Sequence, residues 1–315
     1  MLPTGRTFYK MSGSGNDFVM VDAMREPPGP LAESRVIQEV CARATGVGAD
    51  GIVFLEPASR GSGAAYRMTY LNSDGSRADL CGNASLCSAR LATELGVASS
   101  AEFRVETDAG ILGARILPTG PEVDLRPVTD VRRTLPFRLV QGEQWMGYAV
   151  AGVPHLVVRV DDVATVPVVE RGRPLRHEAS LPGGANVNFV SRDAAGGWRI
   201  RTYERGVEGE TLACGTGSVA TAILLREAGE VEDRVALATR SGRTLTVRLT
   251  KADGGWQPSL SGEARLVFEG RFGEICGAFG PIRPPMATAI ATVGVAWPRR
   301  LQPRSPSERL SSLAG

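Results

Sequence analysis

The chain has 315 residues, of which 43% are hydrophobic and 22% charged, and its formal net charge is +2. This length and composition are typical of a globular protein of two domains of ordinary size. The small net charge and the lack of Lys/Arg runs argue against nucleic-acid binding. The N-terminal residues lack the pattern of a signal peptide, so we expect a cytoplasmic protein whose cysteines stay reduced.

Short segments rich in β-branched and aromatic residues predict that strands dominate the fold. The predicted strands are 51–55, 66–71, 103–106, 111–117, 156–160, 187–190, 198–203, 235–239, 244–249 and 264–268. Helices are predicted over about 31–43 and after Cys81 and Cys214, where apolar residues recur at helical spacing and a glycine follows. The pattern predicts an α+β fold in which a mostly antiparallel sheet wraps a central helix in each half.

Two stretches of the chain match one another. Residues 69–82 and 202–215 both run Thr-Tyr, ten further residues and then Cys-Gly, so that Cys81 and Cys214 hold matching positions. The duplication predicts two pseudo-symmetric half-domains, 1–130 and 131–275, with the last strand able to return to the first half. Each half then carries one thiol at the start of its central helix.

The C-terminal part differs in composition from the rest. Beyond residue 275 the sequence becomes rich in Pro, Arg and Ser, and we predict that 276–315 form a poorly ordered tail. Its apolar stretch, 286–297, has twelve residues, whereas a membrane-spanning helix needs about 20. We therefore expect no membrane partner.

The cysteines and lysines argue against a bound metal or cofactor. Five cysteines without a C-x-x-C motif, and two histidines, do not form a zinc-ligand pattern. We interpret Cys41, Cys87 and Cys276 as small buried apolar residues. Lys10 and Lys251 are the only lysines, and neither lies where the Schiff-base lysine of a pyridoxal-phosphate enzyme is expected. The sequence therefore favours chemistry carried by side chains alone.

The Cys-Gly helix starts indicate what that chemistry is. The first N–H groups of a helix lack internal partners and carry the positive end of its dipole, so they bind a carboxylate and are expected to lower the pKa of a thiol. If both helices point at one space, Cys81 and Cys214 flank the α-carbon of a bound amino acid. One sulfur then acts as thiolate base and the other as thiol acid, which inverts the carbon.

Seven ordered motifs carry a resemblance to a known family. They occupy residues 10–18, 46–51, 72–76, 81–83, 154–155, 185–187 and 203–217. In this order, over about residues 6–273, the chain resembles diaminopimelate epimerase. The resemblance implies a cofactor-independent isomerase of two halves around a cleft, a homodimer that interconverts LL- and meso-diaminopimelate for lysine and cell-wall synthesis.

The resemblance also implies a role for individual residues. Cys81 and Cys214 would be the acid–base pair. The carboxylate at the reacting carbon would be held by the N–H groups of a set of four residues: Gly82, Asn83, Gly215 and Thr216.

Further implied contacts concern the rest of the substrate. Glu204 would contact the ammonium group at the reacting carbon and, with His155, would modulate the pKa values of the thiols. Polar side chains that line the pocket or recognise the distal amino-acid end would be Asn16, Asn72, Asn186 and Arg205. A substrate with two zwitterionic ends needs such a guanidinium fork and such amides.

The chain departs from the family pattern at four positions. Ala84 and Leu86 replace a glycine and an arginine of many members, Val153 replaces an asparagine, and Glu208 lengthens the loop before the second cysteine. Val153 favours an alternative, a two-cysteine racemase of another amino acid. The altered first motif favours a second alternative, an amino-acid-binding paralogue without catalysis.

Overall fold

The computed structural model describes residues 5–99, 101–181 and 183–273. The predictions for Cys276 and for the tail, including 286–297, lie outside these residues. Within the described ranges, no helix has the length and apolar character needed to cross a membrane.

Strands dominate the described residues, and each of the ten predicted strands overlaps an observed one. The strands are β1 Thr7–Gly13, β2 Asn16–Asp22, β3 Gly51–Glu56, β4 Tyr66–Asn72, β5 Glu102–Thr107, β6 Gly110–Leu117, β7 Gly120–Asp124, β8 Val131–Arg132, β9 Glu143–Ala151, β10 Val153–Val160, β11 Asn186–Arg192, β12 Trp198–Glu204, β13 Gly209–Thr211, β14 Arg234–Ala238, β15 Thr244–Ala252, β16 Gly255–Gly262 and β17 Arg265–Arg271.

The α-helices of the described ranges confirm three predictions and add one helix. They are α1 Ser34–Cys41, α2 Gly82–Glu94, α3 Val168–Arg176 and α4 Gly215–Glu227. The sequence did not predict α3, because it contains Gly172 and Pro174, which usually interrupt helices. Gly172 is needed there, since an added Cβ would lie 2.6 Å from the Cβ of Tyr203.

Strand pairing follows the same order twice. In the first part β2–β3 is parallel, β3–β4 antiparallel, β4–β5 parallel, and β5–β6–β7 antiparallel. In the second, β10–β11 is parallel, β11–β12 antiparallel, β12–β14 parallel, and β14–β15–β16 antiparallel. The β7–β16 and β1–β17 pairs join the two parts. The predicted boundary near residue 130 stays a prediction.

Helices α2 and α4 lie in one shared apolar core. Ten of the 13 residues of each helix are buried, and residues of both belong to the same cluster of buried side chains. Ala84 and Leu86, at the positions where the sequence departs from the family pattern, are fully buried in this cluster. Burial of a leucine side chain contributes about 1.5–3 kcal/mol, so packing of Leu86 helps to hold α2 in this core.

The Thr-Tyr part of the sequence repeat is not a structural repeat. Tyr70 packs in the core shared with α2 and α4, whereas Tyr203 packs on the opposite face, against Gly172 of α3. Side chains alternate along a strand, so an offset of one residue reverses the face. The loop before α4 absorbs that offset, and in this loop Glu208 takes a positive φ of 53°. Thr202 therefore faces α4 where Tyr70 faces α2.

Candidate active site

The first turns of α2 and α4 have nearly identical geometry. Cys81 precedes α2 with φ −130° and ψ 117°, and Cys214 precedes α4 with φ −134° and ψ 112°. The carbonyl oxygen of Cys81 accepts bonds from the N–H and hydroxyl of Ser85, both at 2.9 Å. The carbonyl of Cys214 accepts from Ser218 at 3.0 Å and 2.9 Å. The predicted repeat is therefore real at the Cys-Gly helix starts.

The two helix starts face each other. A Cβ built on Gly215 would lie 3.6 Å from the Cα of Gly82, and one built on Gly82 would lie 3.8 Å from the Cα of Gly215. The end of the Leu260 side chain lies 3.0 Å from the carbon added on Gly215 and 2.9 Å from the one added on Gly82. Glycine permits this approach, which brings together the N–H-rich positive ends of two helix dipoles. The arrangement suits one anionic group bound between them.

Burial controls the two thiols. Together with a smaller contribution from the negative charge of Glu204, burial raises the pKa of Cys81 to about 11 and that of Cys214 to about 12. Helix N–H groups oppose the rise, including that of Gly217, which lies 3.4 Å from the Cys214 sulfur. The helix starts thus act in the predicted direction, but the expectation that the thiol pKa values lie below the usual value is wrong, because burial outweighs the N–H groups.

The remaining described cysteines behave as predicted. Cys41 and Cys87 are both buried in apolar clusters. Burial raises the pKa of the Cys41 thiol to about 11 and raises that of Cys87 still further. Neither begins a helix, so neither is placed for acid–base work.

A chain of side-chain hydrogen bonds orients the amide of Asn83, the second residue of α2. The Asn16 amide nitrogen donates to the Asp50 carboxylate at 2.9 Å, and the Asn83 amide nitrogen donates to the Asn16 carbonyl oxygen at 2.7 Å. A carboxylate only accepts, so both amide orientations follow from Asp50. The Asn83 oxygen is left buried, without a partner among the described residues, 3.6 Å from the Cβ position of Gly215. It is an unused acceptor between the helix starts.

Strands β10, β11 and β12 place a polar cluster beside α4. His155 pairs in register with Asn186, and Asn188 pairs with Thr202. His155 is fully buried, and burial together with the positive charge of Arg205 lowers its pKa to about 3. The imidazole is therefore neutral at physiological pH, so it does not modulate the thiols as a cation.

The residues predicted to recognise the distal end are only partly brought together. The Asn186 side-chain oxygen accepts from the Arg205 backbone N–H at 2.7 Å, and the Arg205 guanidinium donates to the Gly183 carbonyl at 3.3 Å. The Asn72 amide instead donates to the Ser76 hydroxyl at 3.0 Å. Asn186 and Arg205 thus form one unit with His155 nearby, whereas Asn72 contacts its own turn.

Glu204 and Thr216 complete the predicted set. Glu204 ends β12, and burial raises its pKa, to which the charge of Asp50 adds. The Thr216 hydroxyl lies 3.6 Å from the sulfur of Cys214. A half-buried carboxylate beside two thiols and two helix starts can bind an ammonium group next to a carboxylate, which are the two groups on the α-carbon of an amino acid.

Sequence reasoning missed three residues of the site. Asp50 and Asn188 act through other side chains, and Leu260 fills the space under the facing glycines. Asn188 had a usable signal, because it follows Asn186 by two positions in a strand, which puts both amides on one face. Asp50 belongs to the motif at residues 46–51, but the resemblance implied no role for it.

Comparison with solved structures defines the class of fold. The chain superposes on the phenazine biosynthesis protein of the PhzF family from Bacillus anthracis with a TM-score of 0.67 at 17% identity, covering 85% of this chain and 98% of that one. The protein therefore has the PhzF-type fold.

Sequence comparison identifies the family. The diaminopimelate epimerase family model matches residues 8–129 and 147–267. A diaminopimelate epimerase of Gemmatimonas aurantiaca is 47% identical over 282 residues, 86% of this chain and 99% of that protein. One of Aquifex aeolicus is 40% identical over 279 residues, 85% and 98% of the two chains. The chain belongs to the diaminopimelate epimerase family.

Proposed function

We propose that the protein is a diaminopimelate epimerase that interconverts the LL and meso isomers with two cysteines and no cofactor. The observation that carries the proposal is the facing pair of Cys-Gly helix starts. Gly82 and Gly215 lie so close that a Cβ built on either one would be in van der Waals contact with the Cα of the other. Family membership supports the substrate. The pathway would be synthesis of lysine and peptidoglycan precursors in the cytoplasm, with the enzyme as a homodimer.

The N–H groups at both helix starts would hold the substrate carboxylate. Charge that builds on this carboxylate as the α-proton leaves would be stabilised by donors already in place. Glu204 and the free oxygen of Asn83 would accept from the substrate ammonium group. The α-carbon would then sit between the two sulfurs.

One sulfur would remove the α-proton as a thiolate while the other delivers a proton to the opposite face. The proton that leaves the carbon ends on the first sulfur, so the thiol and the thiolate exchange places in each turnover. Reverse reaction uses the opposite assignment of Cys81 and Cys214. No electron acceptor is required.

Substrate binding must help to ionise one thiol. A pKa of about 11 for Cys81 corresponds to a cost on the order of 5 kcal/mol for forming the thiolate at pH 7. The substrate ammonium group would offset part of this cost, because its positive charge would lie beside Glu204, whose negative charge raises the pKa of both thiols. We therefore expect the thiolate to form in the complex rather than in the free protein.

A substrate panel tests the proposal. Purified reduced protein would be incubated with LL-diaminopimelate, meso-diaminopimelate, L-lysine, L-proline and trans-4-hydroxy-L-proline, and inversion would be followed by chiral chromatography. We expect inversion of the two diaminopimelate isomers only. Inversion of proline or hydroxyproline without diaminopimelate would favour the racemase alternative, and binding of diaminopimelate without inversion would favour the non-catalytic paralogue.

A further inference from the structure

Asn188 connects three elements beneath the candidate active site. It is fully buried in β11, and its side chain reaches β10, β12 and the first turn of α4. Its amide nitrogen donates to the Leu156 carbonyl at 2.9 Å, and its oxygen accepts from the Thr202 hydroxyl at 3.0 Å. Because a carbonyl only accepts, the bond to Leu156 fixes which end of the amide is the nitrogen, and the Thr202 hydroxyl then donates to the oxygen.

The fixed amide decides the tautomer of His155. The second N–H of Asn188 faces the His155 Nδ1 atom, with the nitrogens 3.2 Å apart. A donor from Asn188 requires an acceptor, so Nδ1 must be unprotonated, and a neutral imidazole then carries its proton on Nε2. The His155 Nε2 atom is buried and finds no hydrogen-bond partner among the described residues.

We propose that Asn188 is a positioning residue that holds His155 as the Nε2–H tautomer, so that this buried N–H donates to an oxygen of the bound amino acid. An acceptor is expected, because a buried N–H without a partner costs about 1–3 kcal/mol. His155 also lies close enough to Arg205 for its charge to act on the ring. The ring therefore contacts the side chain that reaches the α4 start and feels the charge of the guanidinium, which would attract a carboxylate, so a carboxylate oxygen is the matching acceptor.

The same side chain accounts for Gly217. A Cβ on Gly217 would overlap the Asn188 side-chain oxygen and would lie 3.2 Å from the Cys214 sulfur. The matching residue of α2 is Ala84, and the strand position that matches Asn188 is the apolar Val53, which pairs with Tyr70 as Asn188 pairs with Thr202. Asn188 thus determines the tautomer of the His155 ring and leaves no room for a side chain at Gly217, the third residue of α4. The kinetic part of this proposal rests on the proposed epimerase function, whereas the tautomer does not.

Nitrogen NMR tests the tautomer directly. The chain has two histidines, so the ring signals of ¹⁵N-histidine-labelled full-length protein can be assigned with His177→Gln, whose side chain is 60% exposed. At pH 7 and without substrate, we expect His155 to show an unprotonated Nδ1 and a protonated Nε2. A protonated Nδ1 in the unaltered protein would overturn the proposal, whether or not the protein is an epimerase.

Asn188→Asp tests whether Asn188 determines the tautomer of His155. A carboxylate accepts where the amide donated, so we expect the His155 proton to move to Nδ1 and kcat/KM for diaminopimelate to fall at least tenfold. Ser191→Ala is the matched control, because Ser191 is a buried polar residue of the same strand that bonds Val163 instead. If Asn188→Asp does not fold, the second variant is Asn188→Leu, which has a similar shape but lacks the donor to Nδ1, and we expect a mixture of tautomers. An unchanged tautomer in the folded variant would refute the assignment.

Discussion

The Cα of Gly82 lies 3.6 Å from the position that a Cβ on Gly215 would occupy. These residues start two helices from distant parts of the chain, and both follow a cysteine. The shared core of α2 and α4 holds this approach in place. The contact therefore links the sequence repeat to a single binding space.

Substitution of either glycine by alanine should separate the helix starts. In Gly215→Ala the new methyl group would meet Leu260 at 3.0 Å, and overpacking of this kind costs about 1–3 kcal/mol. We expect a lower free energy of unfolding in urea and a higher KM, because the N–H groups no longer converge. Because Leu260 is the group that the new methyl meets, Gly215→Ala and Leu260→Ala in the same chain should cost less stability than the sum of the two separate substitutions.

Gly209→Ala is the control for this substitution, because the nearest atom to its added carbon lies 4.0 Å away. Unchanged stability and kinetics in Gly215→Ala would contradict the close approach.

Loss of either of the two thiols that we propose as the acid–base pair should abolish most turnover. General acid–base catalysis contributes roughly 10²–10⁴-fold, and serine is too weakly acidic to replace the thiolate. We expect Cys81→Ser and Cys214→Ser each to reduce kcat by at least about 100-fold, with an unchanged circular dichroism spectrum. Cys41→Ser is the control, and near-normal turnover in either active-site variant would refute the two-thiol assignment.

His155 should make stability dependent on pH. Its pKa is lowered to about 3 in the folded chain, against about 6.5 when unfolded, so the unfolded chain binds a proton that the folded chain excludes. Stability is therefore lost as pH falls from about 6.5 towards 3. When the pH is lowered from 7 to 5, we expect the free energy of unfolding to fall by about 2 kcal/mol more in the unaltered protein than in His155→Gln.

Urea unfolding at both pH values measures this difference. His177→Gln removes an exposed histidine and should behave like the unaltered protein. If the free energy of unfolding falls equally in the unaltered protein and in His155→Gln, the imidazole has an ordinary pKa in the folded state and the prediction is wrong.

The protein should be inactivated reversibly by oxidation. Two thiols at facing helix starts can join as a disulfide when the cleft is empty. We expect loss of activity with a mild oxidant, recovery with dithiothreitol and protection by substrate. Activity that is insensitive to both reagents would indicate that the two sulfurs do not meet.

The sequence predicted the elements that local signals define. Helices α2 and α4 were predicted because apolar spacing and the terminal glycines Gly96 and Gly229 agree, and both glycines take positive φ. Helix α3 was missed because Pro174 and Gly172 resemble interruptions and only the packing of Tyr203 explains the glycine. Local pattern cannot reveal such a tertiary reason.

The candidate site was predictable where chemistry repeats along the chain. Cys81 and Cys214 were identified from their matching Cys-Gly context. The direction of their pKa shifts was not predictable, because it depends on the depth of burial, which outweighs the helix N–H groups. Asn188 escaped notice because it acts through His155, and that contact exists only in the folded sheet.

The most direct test of the two-thiol epimerase is incubation of reduced protein with LL-diaminopimelate in deuterium oxide, without added cofactor. Inversion and α-deuterium content would be followed together by NMR and mass spectrometry. We predict that the meso product carries solvent deuterium at the inverted carbon while early unreacted substrate carries little, since different sulfurs remove and deliver the proton. Neither inversion nor exchange, or inversion that retains the original α-hydrogen, would contradict the account.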